Sequence, residues 1–187
     1  ILGIFMLVPY GVQLIYGENS NSFLSSSIIT VFIGILTIFA NIKKEKQLNL
    51  QQAFLFSTLA WISIAIFGSI PFILSNLKLS LSEAFFESMS GITTTGSTII
   101  TNLNETPKAI LLWRGMLQWL GGIGIIVMAI TLMPIMNIGG MQLFVISTSN
   151  TPEKILPKSK EISIRLILVY LILTIACALF YKIFGMG

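Results

Sequence analysis

Ser90-Gly91-Ile92-Thr93-Thr94-Thr95-Gly96-Ser97-Thr98-Ile99 is the stretch on which the fold turns. From Ile92 onward it is a run of β-branched residues around a single glycine. Such residues are stiff at χ1 and favour extended backbone over helix. Gly96 permits backbone angles that aim carbonyls in an unusual direction. Just upstream lies Leu79-Ser80-Leu81-Ser82-Glu83-Ala84-Phe85-Phe86-Glu87-Ser88-Met89. Ser80 followed three residues later by Glu83 is a capping-box pattern. With Ala84, Phe85 and Met89 it predicts an amphipathic helix of about three turns, too short to cross a bilayer.

The surroundings of this hairpin are apolar. Hydrophobic residues make up 55% of the 187 and charged residues 10%, with a mean hydropathy of +0.91. A soluble domain carries about 25% charged residues. The apolar residues come in blocks, and a bilayer core needs about 20 in a row. Five spans can be drawn: Ile1 to Tyr16, Phe23 to Ile42, Ala53 to Leu74, about Ile110 to Met136, and Ile164 to Phe184. The fold class is therefore an all-α membrane protein, with about five transmembrane helices plus one re-entrant helix and loop.

Charge placement orients the spans. Lys43, Lys44 and Lys46 lie between spans two and three; Lys154, Lys158, Lys160 and Arg165 lie between spans four and five. Two crossings separate these segments, so they share one side. That side holds seven of the eleven Lys and Arg and is the cytoplasmic one. Residues 75–109 are then external. The net charge of +4 is a topology signature and does not point to nucleic acid. The basic stretch Lys154 to Arg165 reads first as topology alone, and second as a contact for anionic lipid or a cytoplasmic partner.

A spanning helix, a short helix, an extended Thr/Gly segment and a second spanning helix make a pore hairpin. A dehydrating cation needs oxygens to replace its hydration shell, and backbone carbonyls supply them. The C-terminus of the short helix offers partial negative charge to that cation. Irregular backbone at membrane depth is tolerated where protein or water satisfies it. The competing reading of the same segment is an external loop with a Thr-rich turn. No histidine is present, which removes a His-based metal site, a His general base and a Ser-His-Asp triad. Glu83 and Glu87 share a helix face with no nucleophile or base beside them, so cation attraction or structural pairing is expected and enzyme chemistry is not. The single cysteine, Cys177, reads as a packing residue.

Arg114 sits near the outer end of span four, beside Trp113 and Trp119. It is expected to be an interface anchor or the partner of a short-helix carboxylate, with Glu87 favoured. Gly115, Gly121, Gly122 and Gly124 allow either close approach to the pore segment or small-residue helix packing. Pro134 reads as a kink at a helix end. The chain begins with Ile1, so residue 1 is not expected to be the translational start, and residues 1–17 lack the pattern of a signal peptide.

The run Phe85 to Thr98 closely resembles the first pore loop of the TrkH/TrkG/KtrB potassium-uptake proteins. Leu117-Gln118-Trp119-Leu120-Gly121-Gly122-Ile123-Gly124-Ile125-Ile126-Val127 resembles the pore-lining helix that follows it, and Gly139-Gly140-Met141-Gln142-Leu143-Phe144 the next cytoplasmic segment. Lys43-Lys44-Glu45-Lys46 and the end from Glu161 to Gly187 also fit, so the resemblance covers essentially the whole chain. It implies a leading two-helix domain at residues 1–49 and a first helix–pore–helix repeat at 50–138. A cytoplasmic linker at 139–163 and the first helix of a second repeat at 164–187 would follow.

The resemblance also implies potassium uptake across the bacterial cytoplasmic (inner) membrane, by a multi-pass, pore-forming subunit of symporter or channel type. Thr94, Thr95, Gly96 and Ser97 would give filter oxygens to K+, with Thr93 supporting them. Gly96 stands where glycine goes with potassium preference. No cofactor is implied beyond K+ as the transported ion. Implied partners are the lipid bilayer, a second copy in a homodimer, and a cytoplasmic nucleotide-binding regulatory subunit of TrkA/KtrA type. One hairpin makes one quarter of such a filter, so the chain is expected to be part of a longer product. An intact native mass near 20.6 kDa would contradict that expectation.

Overall fold

The computed structural model of the chain describes residues 1–18, 20–40, 50–132 and 155–185. The basic residues Lys43, Lys44, Lys46 and Lys154, together with Pro134 and the Gly139 to Phe144 segment, lie outside the described residues. Seven helices run through the described part, and it contains no strand. They are α1 (Leu2–Phe5), α2 (Leu7–Ile15), α3 (Ser22–Ala40), α4 (Leu50–Leu74), α5 (Leu81–Ile92), α6 (Lys108–Leu132) and α7 (Ile155–Ile183).

Four helices contain stretches long and apolar enough to cross a membrane: Ser22–Ala40, Gln51–Leu74, Lys108–Ala129 and Ile164–Ile183. At 1.5 Å per residue the shortest covers about 28 Å, close to the roughly 30 Å hydrocarbon core. The first expected span is shorter, an apolar stretch from Leu2 to Ile15 broken at Met6. Pro9 has no N–H to give the Phe5 carbonyl, which places the break. Gly17, at φ 64°, ends α2. Its N–H donates to the Leu14 carbonyl at 3.3 Å and the Glu18 N–H to the Gln13 carbonyl at 3.0 Å. That pair of bonds is a Schellman turn, and it sets the position of Glu18.

The chain divides into two compact units, Ile1–Gly122 and Ile123–Gly187. The first has a core of Met6, Phe23, Ala65, Phe72, Ala84, Ile92, Ala109, Ile110, Trp113 and Leu117. Trp113 is fully buried, meets Phe23 edge-on at 6.2 Å, and donates its indole N–H to the Gly68 carbonyl at 2.9 Å. That bond satisfies a polar atom otherwise stranded in an apolar core. α1 lies against α3, where the Ser27 hydroxyl donates to the Gly3 carbonyl at 2.7 Å. A Cβ at Gly3 would stand 2.7 Å from Val31 Cγ2, so the two backbones meet as small-residue membrane helices do.

The second unit holds the end of α6 and α7. Ile123, Ile126 and Val127 line an apolar groove with Leu166, Ile167, Val169, Tyr170 and Leu173. None of Ile164–Ile183 is buried, and between Arg165 and Lys182 its large side chains are aliphatic or aromatic, the composition of a lipid-facing or helix-facing surface. Cys177, expected to be packed, is exposed there.

Candidate functional site

The short helix forms as its sequence predicts. Ser80 is the N-cap; its hydroxyl accepts from the Glu83 N–H at 3.4 Å, and Glu83 Oε2 accepts from the Ser80 N–H at 2.7 Å. The Ser80 N–H foremost, and then the Ser80 hydroxyl, hold the Glu83 carboxyl below the usual carboxylate range. α5 buries Ala84, Glu87, Ser88, Ser90, Gly91 and Ile92, which puts one face of the helix against the rest of the unit.

The extended segment starts where α5 stops. The Thr93 N–H still donates to the Met89 carbonyl and the Thr94 N–H to Gly91, at 3.0 and 2.9 Å. Thr94 then takes φ 59° and Gly96 φ 76°, both left-handed, while Thr95 and Ser97 do not. Left-handed backbone is costly for a β-branched residue such as Thr94. Alternating handedness rotates successive peptide planes, so neighbouring carbonyls need not point to opposite sides as in a strand. Thr93 to Ser97 are all exposed in this chain.

Three sets of bonds hold this backbone. The Ser90 hydroxyl donates to the Ser97 carbonyl at 2.7 Å, and the Gly96 N–H donates to the Ser90 carbonyl at 3.2 Å. The Thr93 and Thr95 hydroxyls pair at 2.9 Å, and Thr93 also donates to the Met89 carbonyl at 2.8 Å. Glu87 makes the third set. It is 1% exposed. Its Oε1 accepts from the Thr98 hydroxyl and the Ile99 N–H, both at 2.6 Å, and its Oε2 accepts from Arg114 Nε at 2.7 Å. A buried carboxylate needs such pairing to offset its desolvation. Glu87 therefore ties the end of the extended segment to α6.

The structure brings Thr93, Thr94, Thr95, Gly96 and Ser97 together as one turn at the C-terminal end of α5. It pairs Arg114 with Glu87, as the sequence reading favoured. It also separates the glycines of α6. A Cβ at Gly121 would overlap the Ile92 carbonyl, whereas Gly115 faces open space. Close approach to the hairpin thus applies to Gly121 and not to Gly115. Sequence reasoning missed Glu18. Its Oε1 accepts from the Lys108 N–H at 2.6 Å and the Ala109 N–H at 3.4 Å, capping α6 from 90 residues away. No local pattern marks that pairing, because the acceptor and the helix start are joined only by the tertiary fold.

These features define a multi-pass helical membrane protein with a re-entrant helix-and-loop hairpin between two spanning helices. The TrkH family of cation transport proteins matches residues 19–186. The Trk system potassium uptake protein TrkH of Vibrio parahaemolyticus is 40% identical over 185 residues, covering 97% of this chain and 38% of the relative. The protein TrkI of Halomonas elongata is 37% identical over 188 residues, covering 100% and 38%. The crystal structure of the potassium transporter TrkH from Vibrio parahaemolyticus superposes with a TM-score of 0.85 at 37% identity, covering 99% of this chain and 37% of that one. The chain belongs to the TrkH family of cation transport proteins, a family of transporters and not of enzymes. It spans about two fifths of the length of the curated relatives it matches.

Proposed function

We propose that this chain supplies one quarter of the cation filter of a potassium-uptake protein of the bacterial inner membrane. Thr94, Thr95, Gly96 and Ser97 give oxygens to K+, with Thr93 buttressing them through Thr95 and Met89. The observation that carries the reading is the alternation of left-handed φ at Thr94 and Gly96, directly beyond a capped helix too short to span. Such a backbone can turn carbonyls toward a shared axis, where they replace a cation's water. The C-terminal end of α5 adds partial negative charge at the same point. Ser97 contributes chiefly through its hydroxyl, since its carbonyl is engaged by Ser90. The potassium uptake names of the relatives support the choice of ion.

The same reading assigns 1–49 to a leading two-helix domain, 50–138 to the first helix–pore–helix repeat, 139–163 to a cytoplasmic linker and 164–187 to the start of a second repeat. A working pore then needs three further filter quarters. The assembly is a homodimer joined on its cytoplasmic side to a nucleotide-binding regulatory subunit, with K+ as the transported ion and no cofactor.

The test is rubidium uptake in cells lacking their own potassium uptake. The cells carry this chain fused in frame to the remaining part of Vibrio parahaemolyticus TrkH. Uptake above the empty-vector level is expected, with K+ competing better than Na+. Gly96→Ser places a side chain at φ 76°, a strain of about 1–2 kcal/mol, or roughly 5- to 30-fold if spent on ion binding. Unaltered flux and selectivity in that variant, at normal membrane level, would make Ser90 to Ile99 an ordinary loop.

A further inference from the structure

α6 meets the hairpin along a single stripe of side chains. Arg114 takes Glu87, Leu117 packs on Gly91, and Gly121 lies under the Ile92 carbonyl. All three contacts serve α5. Gln118 belongs to the same stripe and does something else. A Cβ built at Gly96 would stand 2.9 Å from Gln118 Nε2, within the extended segment itself. Gln118 is exposed, so core packing does not account for its position. Its amide carries two N–H donors and no charge. Next to a cation path, such a group neither repels the ion as an ammonium would nor traps it as a carboxylate would.

We infer that Gln118 is a positioning residue for the cation path: its amide backs the left-handed turn at Gly96, and the two residues set ion preference as a pair. This rests on the filter reading above. A methyl group at 96 acts twice. It is strained at φ 76°, and it displaces the Gln118 amide, which is the free end of a flexible side chain. Removing the amide reproduces the second effect alone.

The experiment uses the same fusion and reads rubidium uptake against competing K+ and Na+, with membrane-inserted protein measured in parallel. Gln118→Ala is expected to shift the K+/Na+ preference by at least about threefold, the scale of coupling between residues in contact. Gln118→Met, which keeps the length and loses the amide, is expected to shift it as well and serves if the alanine variant does not insert. Gly96→Ala combined with Gln118→Ala should change preference by less than the product of the single effects. Unchanged preference in the inserted Gln118 variants, or a double variant equal to that product, overturns the pairing and leaves the filter reading intact. A silent Gly96→Ala removes the filter reading, and the pairing with it.

Discussion

At the residue scale, Glu87 carries the most. One buried carboxylate accepts from Thr98, Ile99 and Arg114, so its removal strands an arginine and two further donors. Glu87→Ala is expected to cost about 3–5 kcal/mol, as for other broken buried pairs, read as a fall in thermal stability of the purified protein. A loss under about 1 kcal/mol would mean that the strut does not hold the extended segment. The sequence reading reached Glu87–Arg114, because charge rarity in an apolar chain leaves few partners to choose from. It did not reach Thr98 and Ile99, since which polar groups share an acceptor depends on how the loop folds back. The α6 glycines make a matched pair of tests. Gly121→Ala must push Ile92 and α6 apart, and is expected to lower stability clearly. Gly115→Ala meets nothing within 4 Å and should be neutral, or stabilising by up to about 1 kcal/mol from helix propensity.

At the element scale, α5 exists because its start is specified locally. Ser80 and Glu83 satisfy each other's backbone N–H groups, and both residues are readable three positions apart in sequence. Ser80→Ala should cost about 1 kcal/mol, seen as faster hydrogen exchange at the amides of the first turn. The Glu83 half of the cap is pH-dependent. Its folded carboxyl titrates below the ordinary value of 4.5, so its contribution is full above that value and is lost as pH falls through the folded one. First-turn exchange should therefore be flat from neutral pH down to about 4.5 and quicken only below it, after correction for the intrinsic pH dependence of exchange. Quickening that begins nearer neutral pH would assign the effect to another group. The left-handed turns at Thr94 and Gly96 were half legible. A glycine amid β-branched residues signals unusual backbone, whereas nothing in a threonine signals φ 59°. The Ser90 bonds to Ser97 and Gly96, which close the turn around Thr94, come from the helix before it.

At the scale of the whole chain, the leading segment is tied to the hairpin unit through Glu18. Its carboxylate caps α6, the helix that backs the extended segment. Hydrogen bonds to a charged group are worth about 1.5–3 kcal/mol when buried, and Glu18 is half-buried. Glu18→Ala should speed exchange at Lys108 and Ala109 and leave the first turn of α5 unchanged. Equal loosening of both would show a general loss of stability in place of a specific cap. Four of the five expected spans are long helices, and the first is a shorter stretch, Leu2–Ile15, broken ahead of Pro9. A proline's missing donor is visible in sequence, but not whether the chain resumes the same helix after it.

The membrane class, the order of the spanning stretches and the place of the re-entrant hairpin are already legible in the sequence. These follow from composition and from patterns a few residues long, which act before any long-range contact exists. Which donors share Glu87, which α6 glycine lies against backbone, how near Gln118 stands to Gly96, and the capping by Glu18 of a helix starting 90 residues later are settled in the folded chain alone. Each of those depends on where a helix meets another helix or a loop that folds back onto it. That meeting is set by side-chain packing summed over many residues, and no short window of sequence contains that sum.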